Sequence, residues 1–295
     1  MSSPVLCFGE LLWDFLPHGT FPGGAPANVA YHLHRLGVPV LPVSTVGSDD
    51  LGERLLAHLR AQGLPTSAIA RHPTAPTGRV TATLGPSGDA HYVIATDVAW
   101  DHIPADGPPL TAAPTAPALI FGSLALRSAD NRQSLARLAA ALPPTAWRVF
   151  DVNLRAPHDD LALVRRYAPL ANILKLNAAE AARLATGNGE IPGHEENHAR
   201  LLAAEFGTPL VCITAGARGA GLLRADHWTW VSRHPVVVAD TVGAGDASLA
   251  AFLAGLLVHA ADDSALLAAA CRLGEWVAAR PGATPAYDAT TPGSL

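Results

Sequence analysis

The chain has 295 residues, 49% of them hydrophobic and 15% charged, with a formal net charge of −5 and a pI near 6.2. That length holds one large domain or a domain with a small appendage, and the apolar share supplies a sizeable core and argues against disorder. The acidic balance argues against sequence-independent binding of nucleic acid, which needs a basic face to displace counterions.

The chain opens with "MSSPVLCFGE", which lacks both a basic segment and a long apolar core and so does not read as a signal peptide. No stretch reaches transmembrane length without a charge or a breaker, so no membrane partner is expected. Cys7, Cys212 and Cys271 stand far apart with no CxxC pair, and an odd count suits a reducing compartment. A cytoplasmic protein is the expectation.

Along the chain, short apolar runs alternate with Ala- and Leu-rich helical patterns. "PVLCFG", "VPVLPVSTVG", "APALIFG", "WRVFDVN", "NILKLN", "PLVCIT" and "HPVVVAD" read as strands, most of them continuous enough to be covered on both faces. Between them "APANVAYHLHRLG", "LGERLLAHLRAQG", "DNRQSLARLAAAL", "NAAEAARLATG" and "DASLAAFLAGLLVHA" read as helices. Strand–helix alternation implies a mostly parallel sheet between two helical layers.

The first strand-to-helix turn contains Gly23, Gly24 and Asn28, a pattern that opens a helix by close backbone approach and leaves amides and a carboxamide for polar ligands. Asp14 precedes it and could accept bonds from two vicinal hydroxyls; a glycine turn beside an exposed Asp is the plain alternative. Thr77–Trp100 breaks the alternation, with two β-like runs joined by "GPSGD", a hairpin signal. Residues of about 11–22 and 77–100 are therefore expected to form a small β lid. An exposed lid face would suit a homodimer.

"FDVNLR" and "LKLNAAEA" put Asp151, Asn153, Arg155, Asn177 and Glu180 at strand ends, where ligands gather in open α/β sheets. Asn177 and Glu180 could hold a hydrated Mg²⁺; a helix cap with Glu three residues on is the competing reading. "HEENH" (His194–His198) fits the HExxH zinc pattern but follows a polar loop and has no third ligand in sight. In "VCITAGARGAG", Thr214, Gly216 and Gly219 could line nucleotide phosphates or simply form a hairpin.

"DTVGAGD" (Asp240–Asp246) follows an apolar run and opens an Ala-rich stretch. The amides of Gly243, Ala244 and Gly245 at a helix N-terminus would stabilise charge on a transferred phosphoryl group. Asp246 could then take the proton of a hydroxyl nucleophile, or it could merely cap the helix. A P-loop is excluded, because Lys175 is the chain's single lysine and no glycines precede it. A dinucleotide fingerprint fails too: "GAGDAS" comes late, with no acidic residue closing a following strand.

Together these stretches resemble the PfkB (ribokinase-like) family of carbohydrate kinases. "GGAPANVAYHLHRLG" is similar to its N-terminal signature and "DTVGAGDASLAAFLAG" to its C-terminal one, with DxNxR, NxxE and TxGxxG patterns between them in family order. The resemblance implies a single ribokinase-like domain over 1–295, a three-layer αβα sandwich with a mostly parallel sheet and a small β lid. It implies that Asp246 is the catalytic base, that 243–245 form an anion hole, and that Asp14, Gly23, Gly24 and Asn28 contact sugar. It further implies ATP at Thr214, Gly216 and Gly219, with Asn177 and Glu180 organising Mg²⁺ and phosphate and Arg155 facing substrate or phosphates. Asp240, with carbonyls near Ala279–Thr284, matches the monovalent-cation (K⁺) site of some members, and Val242 departs from the Thr often found there. "GELLWDFLP", "FGSLALRS" and "KLNAAEA" look most like bacterial fructokinases, which implies fructose as acceptor and fructose 6-phosphate as product. Ribose, 2-keto-3-deoxygluconate or a nucleoside are the other acceptors considered, and a non-catalytic sugar or nucleotide sensor is the alternative of another class.

Overall fold

The computed structural model describes residues 3–16, 19–84, 90–258 and 262–293. The expected "GPSGD" turn lies outside them. Thirteen strands and nine helices are formed among the described residues. The strands are β1 (Val5–Phe8), β2 (Leu12–Leu16), β3 (Gly19–Gly23), β4 (Val40–Gly47), β5 (Ile69–His72), β6 (Gly78–Leu84), β7 (Ala90–Ile94), β8 (Ala118–Gly122), β9 (Trp147–Asp151), β10 (Ile173–Asn177), β11 (Leu210–Thr214), β12 (Gly219–Arg224) and β13 (His227–Ser232). The helices are α1 (Ala25–Arg35), α2 (Asp50–Ala61), α3 (Pro108–Ala112), α4 (Ala129–Ala141), α5 (Leu161–Tyr167), α6 (Ala178–Thr186), α7 (Glu195–Phe206), α8 (Ala244–Val258) and α9 (Asp263–Ala278).

Nine strands form one sheet in the order β13-β12-β11-β10-β9-β8-β1-β4-β5. It is parallel from β5 to β11 and closes at the other edge with the antiparallel β12–β13 hairpin. Alternate side chains along a strand face opposite sides, and β1 shows the consequence. Val5 and Cys7 enter one core with residues of α1, α2, α8 and α9, whereas Leu6 and Phe8 enter a second core with residues of α4, α5, α6 and α7. This is the three-layer sandwich the alternation implied. Among the described residues no helix is long and apolar enough to cross a membrane.

A second, four-stranded sheet, β3-β2-β6-β7, forms the lid. Its base is pinned by Asp49, which caps α2 through Gly52 N at 2.8 Å and also accepts from Thr77 N and Thr77 Oγ1 at 2.8 and 2.6 Å. Arg127 pins the exit of β7. It donates to both Asp101 oxygens at 2.8 Å and to Ala95 O at 2.7 Å, and its guanidinium lies 3.9 Å from the Trp100 ring centroid.

One expected strand does not form. "HPVVVAD" runs without regular structure, and Val237 is 91% exposed. β13 stays the edge of the sheet, and the run pairs with no strand. Its last residues bond to a helix end instead, Ala239 N and Asp240 N both donating to Ala278 O at 2.9 and 3.2 Å.

Candidate active site

Apart from Asp14 on β2 and Gly23 at the end of β3, the singled-out residues come from the ends of β9, β10 and β11 with the loops that leave them, from the start of β12, and from the N-termini of α1, α6 and α8 with the turn before α8. Gly24 starts α1 at φ 116°, a region that L side chains rarely adopt, and a Cβ there would run into Glu10 O. That close approach lays the first turn of α1 against the end of β1. Ala25 N then donates to Glu10 Oε1 at 3.2 Å.

One turn further along α1, Asn28 Nδ2 donates to Asp246 Oδ2 at 2.8 Å. Asp246 sits in the first turn of α8 and is 9% exposed. Burial, with the Asp151 charge nearby, pushes its carboxyl up to about 6, against Lys175, the Asn28 hydrogen bond and Arg155. Asp14 on β2 lies directly over Gly23, where a Cβ would meet its Oδ2. Burial pushes Asp14 up to about 6 as well, and Arg155 opposes it. The exposed Arg155, which donates to Leu154 O at 3.0 Å, thus acts electrostatically on Asp14, Glu10 and Asp246 at once.

Gly243 turns into α8 at φ 78°, and Ala244 N makes a 3.3 Å turn bond to Thr241 O. Below the turn lies Lys175: a Cβ on Gly245 would be 3.3 Å from its Nζ. Lys175 donates to Asp151 Oδ1 and Oδ2 at 2.9 and 3.2 Å, both partners being buried. Burial works against the ammonium, but Asp151, Glu180 and Asp246 outweigh it and raise its pKa. The ammonium beneath the helix N-terminus is thus neutralised by Asp151, whose charge outweighs it in setting the Asp246 carboxyl.

Asn177 and Glu180 do form a capping box, Asn177 Oδ1 accepting from Glu180 N at 2.8 Å and Glu180 Oε2 from Asn177 N at 2.9 Å. Glu180 Oε1 accepts from Leu154 N at 2.8 Å, tying the box to the Arg155 loop. Asn177 pairs in register with Thr214. Gly216 lies in the turn between β11 and β12 and Gly219 opens β12, so the hairpin is formed and its turn lies beside Asn177. Asp240 accepts from Val242 N and Gly282 N at 3.0 and 3.2 Å. Among the described residues no hydrogen bond joins Thr214, Gly216 or Gly219 to Asp246; they lie at the same end of the sheet.

The chain matches the model of the pfkB family carbohydrate kinases over residues 18–290. A fructokinase of Klebsiella pneumoniae is 31% identical over 278 residues, 90% of this chain and 88% of the relative. The chain belongs to the pfkB family of carbohydrate kinases. Among solved structures, a fructokinase double mutant of Vibrio cholerae with fructose, ADP and potassium is 26% identical, with a TM-score of 0.80, over 96% of this chain and 94% of that one. An uncharacterised sugar kinase of Pyrococcus horikoshii in complex with ATP is 27% identical, with a TM-score of 0.79, over 95% and 94%.

In a pfkB kinase the donor set bears on metal binding. Among the described residues no group of three or more His, Cys, Asp or Glu could hold an ion unaided. Both Glu180 oxygens already accept amides, so Asn177 and Glu180 fit a hydrated Mg²⁺ carried by nucleotide phosphates and do not fit a protein-only cage. The HExxH pattern is absorbed by structure: His194 starts α7 and Glu195 pairs with Arg218 at 2.6 Å.

Three residues of the site escape the motif reading. Glu10 is 4% exposed, its Oε2 has no partner, and burial pushes it up to about 7 with Asp246 adding to the rise. Lys175 enters the motif reading only as the lysine that fails a P-loop. His32 is fully buried, and burial lowers it to about 4. A carboxylate or ammonium inside an apolar run, as in "LCFGELL" and "NILKLN", is the signal that could have found the first two.

Proposed function

We propose that this kinase transfers the γ-phosphoryl group of ATP to a primary hydroxyl of a small sugar, with the 6-OH of fructose as first choice. The observation that carries the reading is a buried carboxylate, Asp246, oriented by Asn28 in the first turn of a glycine-started helix. A pure binder has no need of a base there.

Asp14, Gly23, Gly24 and Asn28 orient the sugar hydroxyls. Asp246 accepts the proton of the attacking hydroxyl as the sugar oxygen bonds to the γ-phosphorus and the bond from phosphorus to the β–γ bridging oxygen breaks, releasing ADP. The 243–245 turn and Arg155 offset charge on the transferring group. Thr214, Gly216 and Gly219 face the nucleotide. Mg²⁺, when bound with ATP near Asn177 and Glu180, neutralises phosphate charge. The lid excludes water, which would otherwise take the phosphoryl group. Its outer face, where Val93 is 52% exposed, is the surface proposed for a homodimer, to be read by light scattering.

The test is ADP release from Mg·ATP with fructose, ribose, 2-keto-3-deoxygluconate and adenosine in parallel, wild type beside Asp246→Asn. Turnover on fructose above the others, falling by about 10²- to 10⁴-fold in the variant, supports the reading. Turnover on another acceptor reassigns the sugar. A variant that keeps near-normal kcat removes Asp246 from the role of base.

A further inference from the structure

Arg127 ends the turn Leu124–Arg127 that follows β8, and its side chain is 12% exposed. Its bonds to both Asp101 oxygens and to Ala95 O hold the exit of the lid. One further bond leaves the lid: Arg127 Nη1 lies 3.1 Å from His158 Nε2. A guanidinium can only donate, so His158 Nε2 accepts and the ring proton sits on Nδ1. Burial and the Arg127 charge favour the neutral ring that this bond requires, and Asp101 and Asp159 oppose them.

His158 belongs to the loop between β9 and α5 that carries Arg155. Its backbone N–H donates to Arg155 O at 2.7 Å, so whatever fixes His158 also fixes the backbone of the arginine. At the start of the same loop, Leu154 N donates to Glu180 Oε1 at 2.8 Å. Arg155 is therefore suspended between the capping box of α6 on one side and the lid exit on the other. Asp159 pairs with Arg183 at 2.5 Å, but those side chains are 25% and 45% exposed, and a solvated pair constrains a loop weakly. Arg155 in turn acts on Asp14 of the lid and on Asp246 of α8, so its placement is felt at both carboxylates.

We infer that Arg127, acting through His158, is a positioning residue for Arg155: it ties the loop bearing that guanidinium to the lid exit, so that Asp14 and the charge facing the transferring group are set in one frame. This rests on the kinase reading above. Trp100 completes the frame on the lid side. The Arg127 guanidinium lies 3.9 Å from its ring centroid, and a Cβ on Gly78 of β6 would lie 2.3 Å from its Nε1, so the ring is wedged between the arginine and the lid sheet. β6 pairs with β2, where Val80 stands opposite Asp14. Arg127 thus connects to Asp14 through packed elements on one side and to Arg155 through hydrogen bonds on the other.

His158→Ala cuts the bond to the loop and leaves Arg127 on Asp101 and Ala95, whereas His158→Gln keeps an acceptor near the place of Nε2. Both are compared with wild type, with Arg155→Ala and with the double variant His158→Ala, Arg155→Ala. The readouts are kcat, KM for ATP and for sugar, the thermal midpoint, and hydrogen exchange of the amides in 152–160. His158→Ala is expected to lose about tenfold in kcat, because small displacements of a group facing the reaction are costly, with both KM values and the midpoint little changed; His158→Gln recovers most of that loss. Since His158 acts through Arg155, its removal costs nothing further once Arg155 is gone. The loop amides exchange faster in His158→Ala and at the wild-type rate in His158→Gln. Losses that multiply in the double variant overturn the inference, as does a Gln variant no better than Ala or loop exchange that does not change. If wild type phosphorylates no acceptor, the kinase reading fails, and the exchange series still decides whether Arg127 and His158 hold the loop.

Discussion

Asn28 Nδ2 lies 2.8 Å from Asp246 Oδ2, although 218 residues separate the two in the chain. The bond favours the ionised carboxylate, and it works against the burial that favours the neutral acid. A base acts only when ionised, so in the role proposed for Asp246 this balance would set the pH at which the reaction runs.

Rate is therefore expected to fall as pH drops through about 6, the value to which burial pushes Asp246. Asn28→Ala removes a bond to the charged form, moving that acid limb to higher pH, with a loss of about 10- to 100-fold near neutrality that narrows in alkali. A kcat/KM profile on both proteins checks this. An unmoved limb would detach Asn28 from the ionisation of Asp246.

Glu10 makes a stability prediction. Its carboxyl is pushed up to about 7 by burial, so the folded state prefers the protonated form more than the unfolded state does. That contribution is complete below the unfolded value and is lost as pH rises through about 7. Glu10→Gln, which cannot ionise, should flatten the decline, so that the variant gains on wild type as pH rises from about 4.5 to 7 and keeps that gain above it. Urea unfolding across that range is the measurement, and parallel curves would refute it.

Lys175→Met strands the buried Asp151 charge and should lower the unfolding free energy by about 3–5 kcal/mol. Adding Asp151→Leu removes the stranded charge and should restore much of the loss. Denaturant unfolding of both proteins checks this, and a double variant as unstable as the single one would show that the pair matters for some other reason.

Gly243→Ala meets two obstacles, a φ of 78° and the Ala283 backbone 2.5 Å from the new methyl carbon. The backbone strain alone is worth about 1–3 kcal/mol. The expected result is a lowered thermal midpoint together with a kcat loss of about 10²-fold from the displaced turn. Normal turnover by this variant would remove the turn from the chemistry.

Much of the scaffold is legible along the chain. Continuous apolar runs such as "APALIFG" become β8 because strands buried on both faces leave no polar positions, and "TGRVTATL" becomes β6 of the lid because its alternation suits a sheet covered on one side. The end signatures locate Gly24, Asn28, Gly243 and Asp246. "HPVVVAD" misleads because strand propensity is expressed only where backbone groups meet a strand, and here Ala239 N and Asp240 N go to Ala278 O at the end of α9. His32 carries no local signal in "YHLHRLG", and its reach to Ala283 crosses 251 residues.

By itself the sequence determined the layers, the lid and the glycine turns with Asp14, Asn28 and Asp246, since periodicity and backbone chemistry are local properties. Tertiary structure alone decided which charges face one another: Asn28 to Asp246, Lys175 to Asp151 below Gly245, Glu10 to the start of α1, His32 to Ala283. Those pairings depend on burial and on distances between remote segments, and desolvation and Coulomb energy take their values only once the chain is folded.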